Sequence, residues 1–207
     1  MRQLFGYKRG MTRLFLEDGT AVSVTAIEVK PLRVVQVKTT EKDGYDALQL
    51  GFGVKRKNLF NKPLLGHFGD LEPTRDLREA RLSEPAELKR GDTVTVEMFK
   101  PGERVDATGI SKGLGFQGGV RRHGFSGGPK THGQSDRWRA PGSLGQSSYP
   151  SRVFKGLRMA GRMGNRKVTV SNLRVAGIRA EENLIFLEGA VPGKNNTVIS
   201  IRESNKR

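Results

Sequence analysis

The 207-residue sequence contains 37 Lys or Arg and 21 Asp or Glu residues, which gives a net charge of +16 and a pI of about 10.6. This balance is typical of proteins that bind polyanions. The lack of cysteine excludes disulfide scaffolds, thiolate zinc sites and cysteine nucleophiles, and the length excludes two large domains. No segment approaches the roughly 18 consecutive apolar residues of a membrane helix, and the first residues do not resemble a secretory signal. We therefore expect a cytoplasmic protein with no membrane partner.

Short alternating segments rich in Val, Ile, Thr and Phe predict β-strands on both sides of the chain's midpoint. The predicted strands cover residues 21–29, 33–39, 45–52, 93–99, 104–111, 167–178, 183–188 and 197–202. Only residues 72–88, with Pro73 near their start, have a pattern that favours a helix. Several short strands with turn signals between them indicate a mainly β protein built on a closed or nearly closed β-barrel.

Residues 107–167 have a different composition from the rest of the chain. They contain 12 basic residues, one acidic residue (Asp136) and 14 of the 27 glycines. Only 16 of these 61 residues are hydrophobic, and they repeat at neither strand nor helix period, so the segment cannot build a core of its own. We predict a long, largely irregular extension, inserted between a first part of the barrel (1–106) and return strands that complete it (168–207).

Two patterns in the extension match enzyme motifs without the context that the chemistry needs. Residues 113–118 match the dinucleotide fingerprint G-x-G-x-x-G, but residues 119–124 look too rich in glycine for the helix that must hold the pyrophosphate. Ser126 lies in a G-x-S-x-G pattern, but the hydrolase order needs an acid and then a histidine after the serine. Here His132 precedes Asp136. We therefore predict no catalytic residue, no cofactor and no small-molecule substrate.

The three histidines of the chain do not form a convincing metal site. A zinc site without cysteine would need all of them, or carboxylates from a region with almost none. His67, His123 and His132 are better interpreted as polar contacts to phosphate or backbone groups. No metal is predicted.

The extension has the features of a nucleic-acid-binding arm. Basic side chains on a glycine-rich backbone can reach phosphates from several sides, and interleaved aromatic rings can stack on unpaired bases. Trp138, between two arginines, either stacks on a base or packs against protein. The predicted RNA-binding residues are Lys112, Arg121, Arg122, Lys130, Arg137, Trp138, Arg139, Arg152, Lys155, Arg158, Arg162, Arg166 and Lys167.

Residues 99–118 (FKPGERVDATGISKGLGFQG), followed by Arg122, resemble the signature of the universal L-three family of large-subunit ribosomal proteins. The length is similar to that of the bacterial members. Further similar motifs are FG at 5–6, GMT at 10–12, DGY at 43–45, GHF at 66–68, PGSLGQ at 141–146, VFKG at 153–156 and MAGRMG at 159–164.

The resemblance implies a barrel on the surface of the large ribosomal subunit and an extension that threads into 23S rRNA towards the peptidyl transferase centre. It further implies binding near the 3′ end of that RNA, a role early in subunit assembly, and no catalysis by the protein. The protein neighbours it implies are large-subunit proteins fourteen, nineteen, thirteen and seventeen. By position, the tip of the extension is formed by Gln146, Ser147, Ser148, Tyr149 and Pro150.

Two positions depart from the family pattern. Leu114 stands where the signature usually has a basic residue, which removes one expected phosphate contact. Ser148 stands where many bacterial relatives have a glutamine that is methylated on its side-chain nitrogen, and serine cannot accept that modification. We therefore expect no such methylation, and methyl-glutamine at Gln146 in a mass spectrum would contradict this.

Two other classes of function stay open at the level of sequence. A free regulatory protein that binds RNA or DNA would need the same charge as a ribosomal protein. An enzyme that uses Ser126 or the glycine pattern is the third class. The glycine content and charge also lead to the hypothesis that residues 113–166 are not ordered before the extension binds its partner.

Overall fold

The computed structural model describes residues 2–16, 18–83 and 87–204. Within them, short 3-10 helices cover Lys57–Leu59 and Val96–Met98. The α-helices are α1 (Thr40–Asp43), α2 (Lys62–Phe68) and α3 (Gly119–His123). The strands are β1 (Gln3–Phe15), β2 (Ala21–Glu28), β3 (Leu32–Lys38), β4 (Ala47–Phe52), β5 (Asp76–Arg81), β6 (Thr93–Val94), β7 (Arg104–Ile110), β8 (Gly115–Gln117), β9 (Gly161–Met163), β10 (Lys167–Arg179), β11 (Leu184–Glu188) and β12 (Val198–Glu203).

Six antiparallel strands close into a barrel in the order β1-β12-β7-β10-β11-β2. The first half of β1 pairs with β12, where Leu4 lies opposite Ile201, and its second half pairs with β2. Tyr7 is paired with both partners, and the register with β2 shifts just after it, between Lys8 and Gly10. Closure leaves no unpaired strand edge in this sheet.

Four further strands form a second sheet in the order β5-β4-β3-β6. This sheet shares one continuous core with the barrel. The Phe5 ring of β1 stacks on the Phe52 ring of β4, with centroids 5.8 Å apart. The Tyr7 hydroxyl donates a 2.7 Å hydrogen bond to Asp76 at the start of β5. The second sheet therefore packs against the barrel as part of one folded body.

Large aliphatic side chains that are fully buried fill the core. Each of them contributes about 1.5–3 kcal/mol by leaving water. Representative members from four barrel strands are Leu4, Ile27, Ile185, Ile199 and Ile201. In β12 the buried residues alternate with more exposed ones, which is the period of two that a half-buried strand requires.

The prediction of a mainly β fold with a closed barrel is confirmed, although the second sheet was not predicted. The strand predicted at 93–99 is only two residues long, because a 3-10 helix follows it. The helix predicted at 72–88 is wrong over its described residues, since residues 76–81 form the edge strand β5. Residues 84–86 of that segment lie outside the described residues.

The chain divides into two compact units. The first contains the described residues up to Ile110 and from Lys167 onward, and it holds the barrel and the second sheet. The second unit is Ser111–Arg166, which we call the extension unit. The range predicted from composition, 107–167, begins within β7 and ends at the first residue of β10. Among the described residues, no helix has the length and apolar character needed to cross a membrane.

Candidate nucleic-acid interface

The base of the extension unit is a two-stranded antiparallel ribbon. The Ser111 amide donates to the Arg166 carbonyl oxygen at 2.9 Å, and the Leu114 amide donates to the Met163 carbonyl oxygen at 3.0 Å. Beyond these bonds, β8 pairs with β9, with Phe116 opposite Arg162. These bonds hold the outgoing and returning chains side by side.

On the returning side of the ribbon, one position accepts only glycine. Gly164 has a φ of +74°, and a Cβ at this position would overlap the carbonyl oxygen of Lys112. Left-handed φ costs other L-residues roughly 1–2 kcal/mol even without such an overlap. Some of the glycines of the extension therefore have a defined structural role at its base.

Leu114, where a basic residue was expected, belongs to this protein framework. Its side chain is half-buried, and its carbonyl oxygen accepts a 2.5 Å hydrogen bond from the Gln117 side-chain amide. The backbone of Leu114 therefore helps to form the ribbon.

The residues after the glycine pattern form the short helix α3, so the expectation that they are too glycine-rich for a helix is wrong. Gly119 is the first residue of the helix and the only glycine within it. The helix ends at Gly124, which has a φ of +74° and whose amide donates to the carbonyl oxygens of Gly119 and Val120. The Phe125 ring packs over Gly119, where a Cβ would lie 2.7 Å from a ring carbon. This five-residue helix follows the short strand β8, which pairs only with the antiparallel β9, so the segment does not make a dinucleotide-binding βαβ unit.

One backbone carbonyl joins α3 to the returning chain. The Arg122 guanidinium donates to the Met159 carbonyl oxygen at 2.7 Å, and His123 Nε2 lies 3.0 Å from the same oxygen. A Cβ on Gly161 would come within 2.5 Å of Arg122 Nη1. Arg122 is therefore the one predicted RNA-binding residue whose side chain hydrogen-bonds to the protein, all of these residues being described in the structure. Sequence reasoning missed Met159, because a carbonyl acceptor carries no side-chain signal.

Trp138 is fixed through its backbone. The Gly128 amide donates to the Trp138 carbonyl oxygen at 2.8 Å, and a Cβ on Gly127 would overlap that oxygen. The Trp138 side chain is 44% exposed. A large part of the indole is therefore accessible for stacking.

The outer part of the extension, residues 129–160, contains no helix or strand. Most of its side chains are exposed, including Phe154. In the predicted tip, Gln146, Ser147, Ser148 and Tyr149 are exposed, and Pro150 is half-buried after a cis peptide bond. Tyr149 is 87% exposed.

The structure places nearly all of the predicted RNA-binding side chains at the surface. Arg122 alone among them is half-buried, and Lys167 lies in the first unit as the first residue of β10. The exposed members are Lys112, Arg121, Lys130, Arg137, Trp138, Arg139, Arg152, Lys155, Arg158, Arg162, Arg166 and Lys167. Arg152 also lies over the Phe154 ring, 6.0 Å from its centroid.

These cations have no acidic partners within the extension unit. No ion pair is formed among residues 111–166, all of which the structure describes. Asp136, the single acid, contacts the neighbouring Ser135 hydroxyl. An exposed set of cations without counter-charge is suited to binding several phosphates of a polyanion.

Two histidines make polar contacts within the protein, and of these only the contact of His123 is to a backbone group, as predicted, whereas that of His67 is to a side chain. His67 Nε2 lies 2.5 Å from the Gln49 side-chain oxygen, and His123 contacts the Met159 carbonyl. Across residues 2–16, 18–83 and 87–204, no three His, Cys, Asp or Glu side chains are grouped as a metal site would require. The exposed Ser126 does not follow a strand of a parallel sheet, as a nucleophile elbow would.

Residues 84–183 match the model of a protein family described as Ribosomal protein L3. This range includes the whole extension unit.

Relatives from several bacteria are similar over nearly the full chain, and each is named large ribosomal subunit protein uL3. The relative from Acidothermus cellulolyticus is 49% identical over 208 residues, covering 100% of this chain and 94% of the relative. The relative from Roseiflexus sp. is 51% identical over 98% of this chain and 97% of its own length. The relative from Chlorobaculum parvum is 50% identical over the whole of both chains.

Proposed function

The chain belongs to the ribosomal protein L3 family, and from this premise we propose that it is a structural component of the large ribosomal subunit that binds rRNA through its extension. The observation that carries the proposal is identity of about one half over the whole chain to proteins named for that subunit. Such similarity covers the barrel and the extension together, which favours the ribosomal role over that of a free regulatory protein.

The charge of the extension unit supports RNA as the ligand. All of its basic side chains except Arg122 are exposed, and none is paired with a carboxylate, so the exposed ones can replace the counterions of phosphates. Trp138 and Tyr149 add exposed rings, and stacking on an unpaired base is worth about 1–3 kcal/mol for each ring. The same features give no support to a reaction, and the proposal is that the protein catalyses none.

The proposal in its finer form names the RNA and the place. The ligand is 23S rRNA near its 3′ end, and the protein joins the subunit early in assembly. The tip, residues 146–150, reaches towards the peptidyl transferase centre, and large-subunit proteins fourteen, nineteen, thirteen and seventeen are neighbours. The support for these points is the family resemblance of the motifs, together with the exposure of the tip.

Sedimentation of a cell extract in moderate salt tests the ribosomal role against that of a free regulator. The tagged full-length chain is expected to sediment with large subunits, with little at the top of the gradient. A chain found mostly free, at a salt concentration that leaves subunits intact, would overturn the proposal. Survival of function in Ser126→Ala would also remove the enzyme alternative.

A further inference from the structure

We propose a second RNA-binding surface on the first unit, formed by residues 54–62 between β4 and β5, which we call the basic loop. The inference rests on the proposed function, since it concerns the same kind of ligand. It adds a phosphate-binding site remote in sequence from the extension. The cations that form it are Lys55, Arg56, Lys57 and Lys62.

The basic loop lies in the middle of a segment without negative charge. From residue 47 to residue 69 the chain has four basic residues and no acidic one. Elsewhere in the described part of the first unit, several basic residues are paired with carboxylates, as Arg9 is with Glu28 and Lys38 is with Glu79. Among the residues that the structure describes, no carboxylate lies within 4.0 Å of a basic group of the loop. The loop therefore presents the kind of unpaired charge found in the extension unit.

Three of the four cations point to solvent, and the fourth supports the loop. Arg56, Lys57 and Lys62 are exposed. Lys55 lies over the Phe60 ring, with its ammonium nitrogen 4.8 Å from the centroid. The exposed three can therefore meet phosphates without giving up a protein contact.

The loop is anchored to the sheet. Phe60 is buried in a small cluster with Val35 and Phe68, and its ring meets that of Phe68 edge-on at 6.0 Å. At its start, the carbonyl oxygen of Gly53 accepts a 3.1 Å hydrogen bond from the Arg75 amide. Anchored cations lose less conformational entropy on binding than cations of a free tail, which favours a real site over a merely solvated run of charge.

Charge decides between RNA and a protein as the occupant. The loop has two exposed aliphatic side chains, Val54 and Leu59, and four polar residues lie between them in the sequence. A protein partner that matched three exposed cations would have to supply an acidic cluster, whereas RNA supplies a phosphate at every nucleotide.

The test compares two triple variants of the full-length chain that change net charge equally. The first is Arg56→Gln, Lys57→Gln and Lys62→Gln. The control is Lys42→Gln, Lys100→Gln and Lys194→Gln, three exposed lysines on different connections of the first unit. The probe is a 3′-terminal fragment of 23S rRNA, and the dissociation constant is measured over a range of salt concentrations. Urea unfolding checks that both variants keep the stability of the parent chain.

Each lost phosphate contact reduces the slope of log affinity against log salt by about 0.7–0.9, so the loop variant is expected to lose about 2 in slope and the control less than 1. Equal slopes for the two variants would overturn the inference. So would an unchanged slope in a loop variant that no longer enters the subunit, because the loop would then contact protein.

A third variant, Arg137→Gln, Arg139→Gln and Arg152→Gln in the extension, separates this inference from the proposed function. If it lowers the slope and the loop variant does not, only the second surface is rejected. If neither variant changes the slope and the parent chain shows no preference for the fragment, the proposed function fails as well.

Discussion

Arginine and lysine side chains have different roles in the barrel and in the extension. In the described part of the first unit, Arg2 bonds to two glutamates and Arg202 bonds to Asp106, so these cations help to hold strands together. In the extension unit no cation has an acidic partner, and all but one of the predicted RNA-binding residues are exposed. The difference teaches that burial and pairing, more than the number of arginines, decide which charges are available to a ligand.

The two units also differ in what holds them together. The barrel has a continuous apolar core, whereas the extension unit depends on a three-pair ribbon, glycine contacts and hydrogen bonds to backbone carbonyls. Substitutions should therefore change global stability in the first unit and local order or RNA affinity in the second.

A core truncation gives the largest expected effect. Ile201 is fully buried in β12, so Ile201→Ala should destabilise the protein by about 2–5 kcal/mol through lost burial and the cavity left behind. Leu157→Ala, at an exposed position of the extension, should change stability by less than about 0.5 kcal/mol. Urea unfolding of both variants measures this contrast, and equal losses would contradict it.

A pH-dependent contribution is expected from Asp106, whose carboxylate is buried. Burial is the strongest influence and acts to raise its pKa, but hydrogen bonds from the Asn172 amide, Ser204 and Arg202 together hold the pKa below the ordinary value of 3.8. The carboxylate therefore stabilises the fold above about pH 4, and this stabilisation is lost as pH falls through the lowered pKa.

Asp106→Asn should accordingly lower the free energy of unfolding by about 1–3 kcal/mol at pH 7. The difference in free energy of unfolding between this variant and the parent chain should become smaller below pH 3.8. Unfolding measured across this range gives both values. A gap that stays constant down to pH 2 would show that the charge of Asp106 has no part in the effect.

The ribbon at the base of the extension can be tested with two glycines of similar backbone geometry. Gly164→Ala meets both a φ of +74° and an overlap with the Lys112 carbonyl, whereas Gly156 has a φ of +81° and open space around it. Gly164→Ala should therefore destabilise the ribbon by more than the roughly 1–2 kcal/mol that the positive φ alone costs, seen as faster hydrogen exchange of the Leu114 amide. Gly156→Ala should leave that amide unchanged, and similar exchange rates in the two variants would contradict this assignment.

Two adjacent arginines give the smallest expected effects and the sharpest contrast. Arg121 is exposed, so Arg121→Gln should lower the salt slope for RNA binding by about 0.7–0.9 without changing exchange in the ribbon. Arg122 bonds to the Met159 carbonyl, so Arg122→Gln should speed exchange near α3. If both variants behave alike, the division between an RNA contact and a protein contact is wrong.

The sequence predicts the parts of the fold whose side chains alternate clearly. Strands β2, β11 and β12 follow such segments closely. β5 escaped prediction because it is an edge strand with a single fully buried residue, Ala80, and its charged side chains resemble a helix surface. β1 was missed because Gly6 and Gly10 interrupt its pattern.

The extension shows a different limit of sequence reasoning. Its charge and glycine content indicate an exposed polyanion-binding segment, and exposure of residues such as Arg137 and Arg158 agrees with that. The bond from Arg122 to the Met159 carbonyl could not be predicted, since composition does not tell which cation meets a backbone oxygen 37 residues away. The basic loop escaped notice because its four charges are few beside those of the extension.

The structure offers a clean way to remove the extension. Ile110 and Lys167 are directly paired across β7 and β10, so residues 111–166 can be replaced by an Asn-Gly turn that makes these strands a hairpin. The central measurement is the dissociation constant of this variant and of the intact chain for the 3′-terminal 23S fragment. An unrelated RNA of equal length serves as control, and both RNAs are titrated over salt.

The intact chain is expected to prefer the cognate fragment by a factor on the order of 10³, with a salt slope of roughly −6 to −10. The variant should lose most of that affinity and keep a slope of about −2, the share assigned to the basic loop. Equal affinity, preference and slope for the two proteins would contradict the claim that the extension is the main RNA-binding element of this chain.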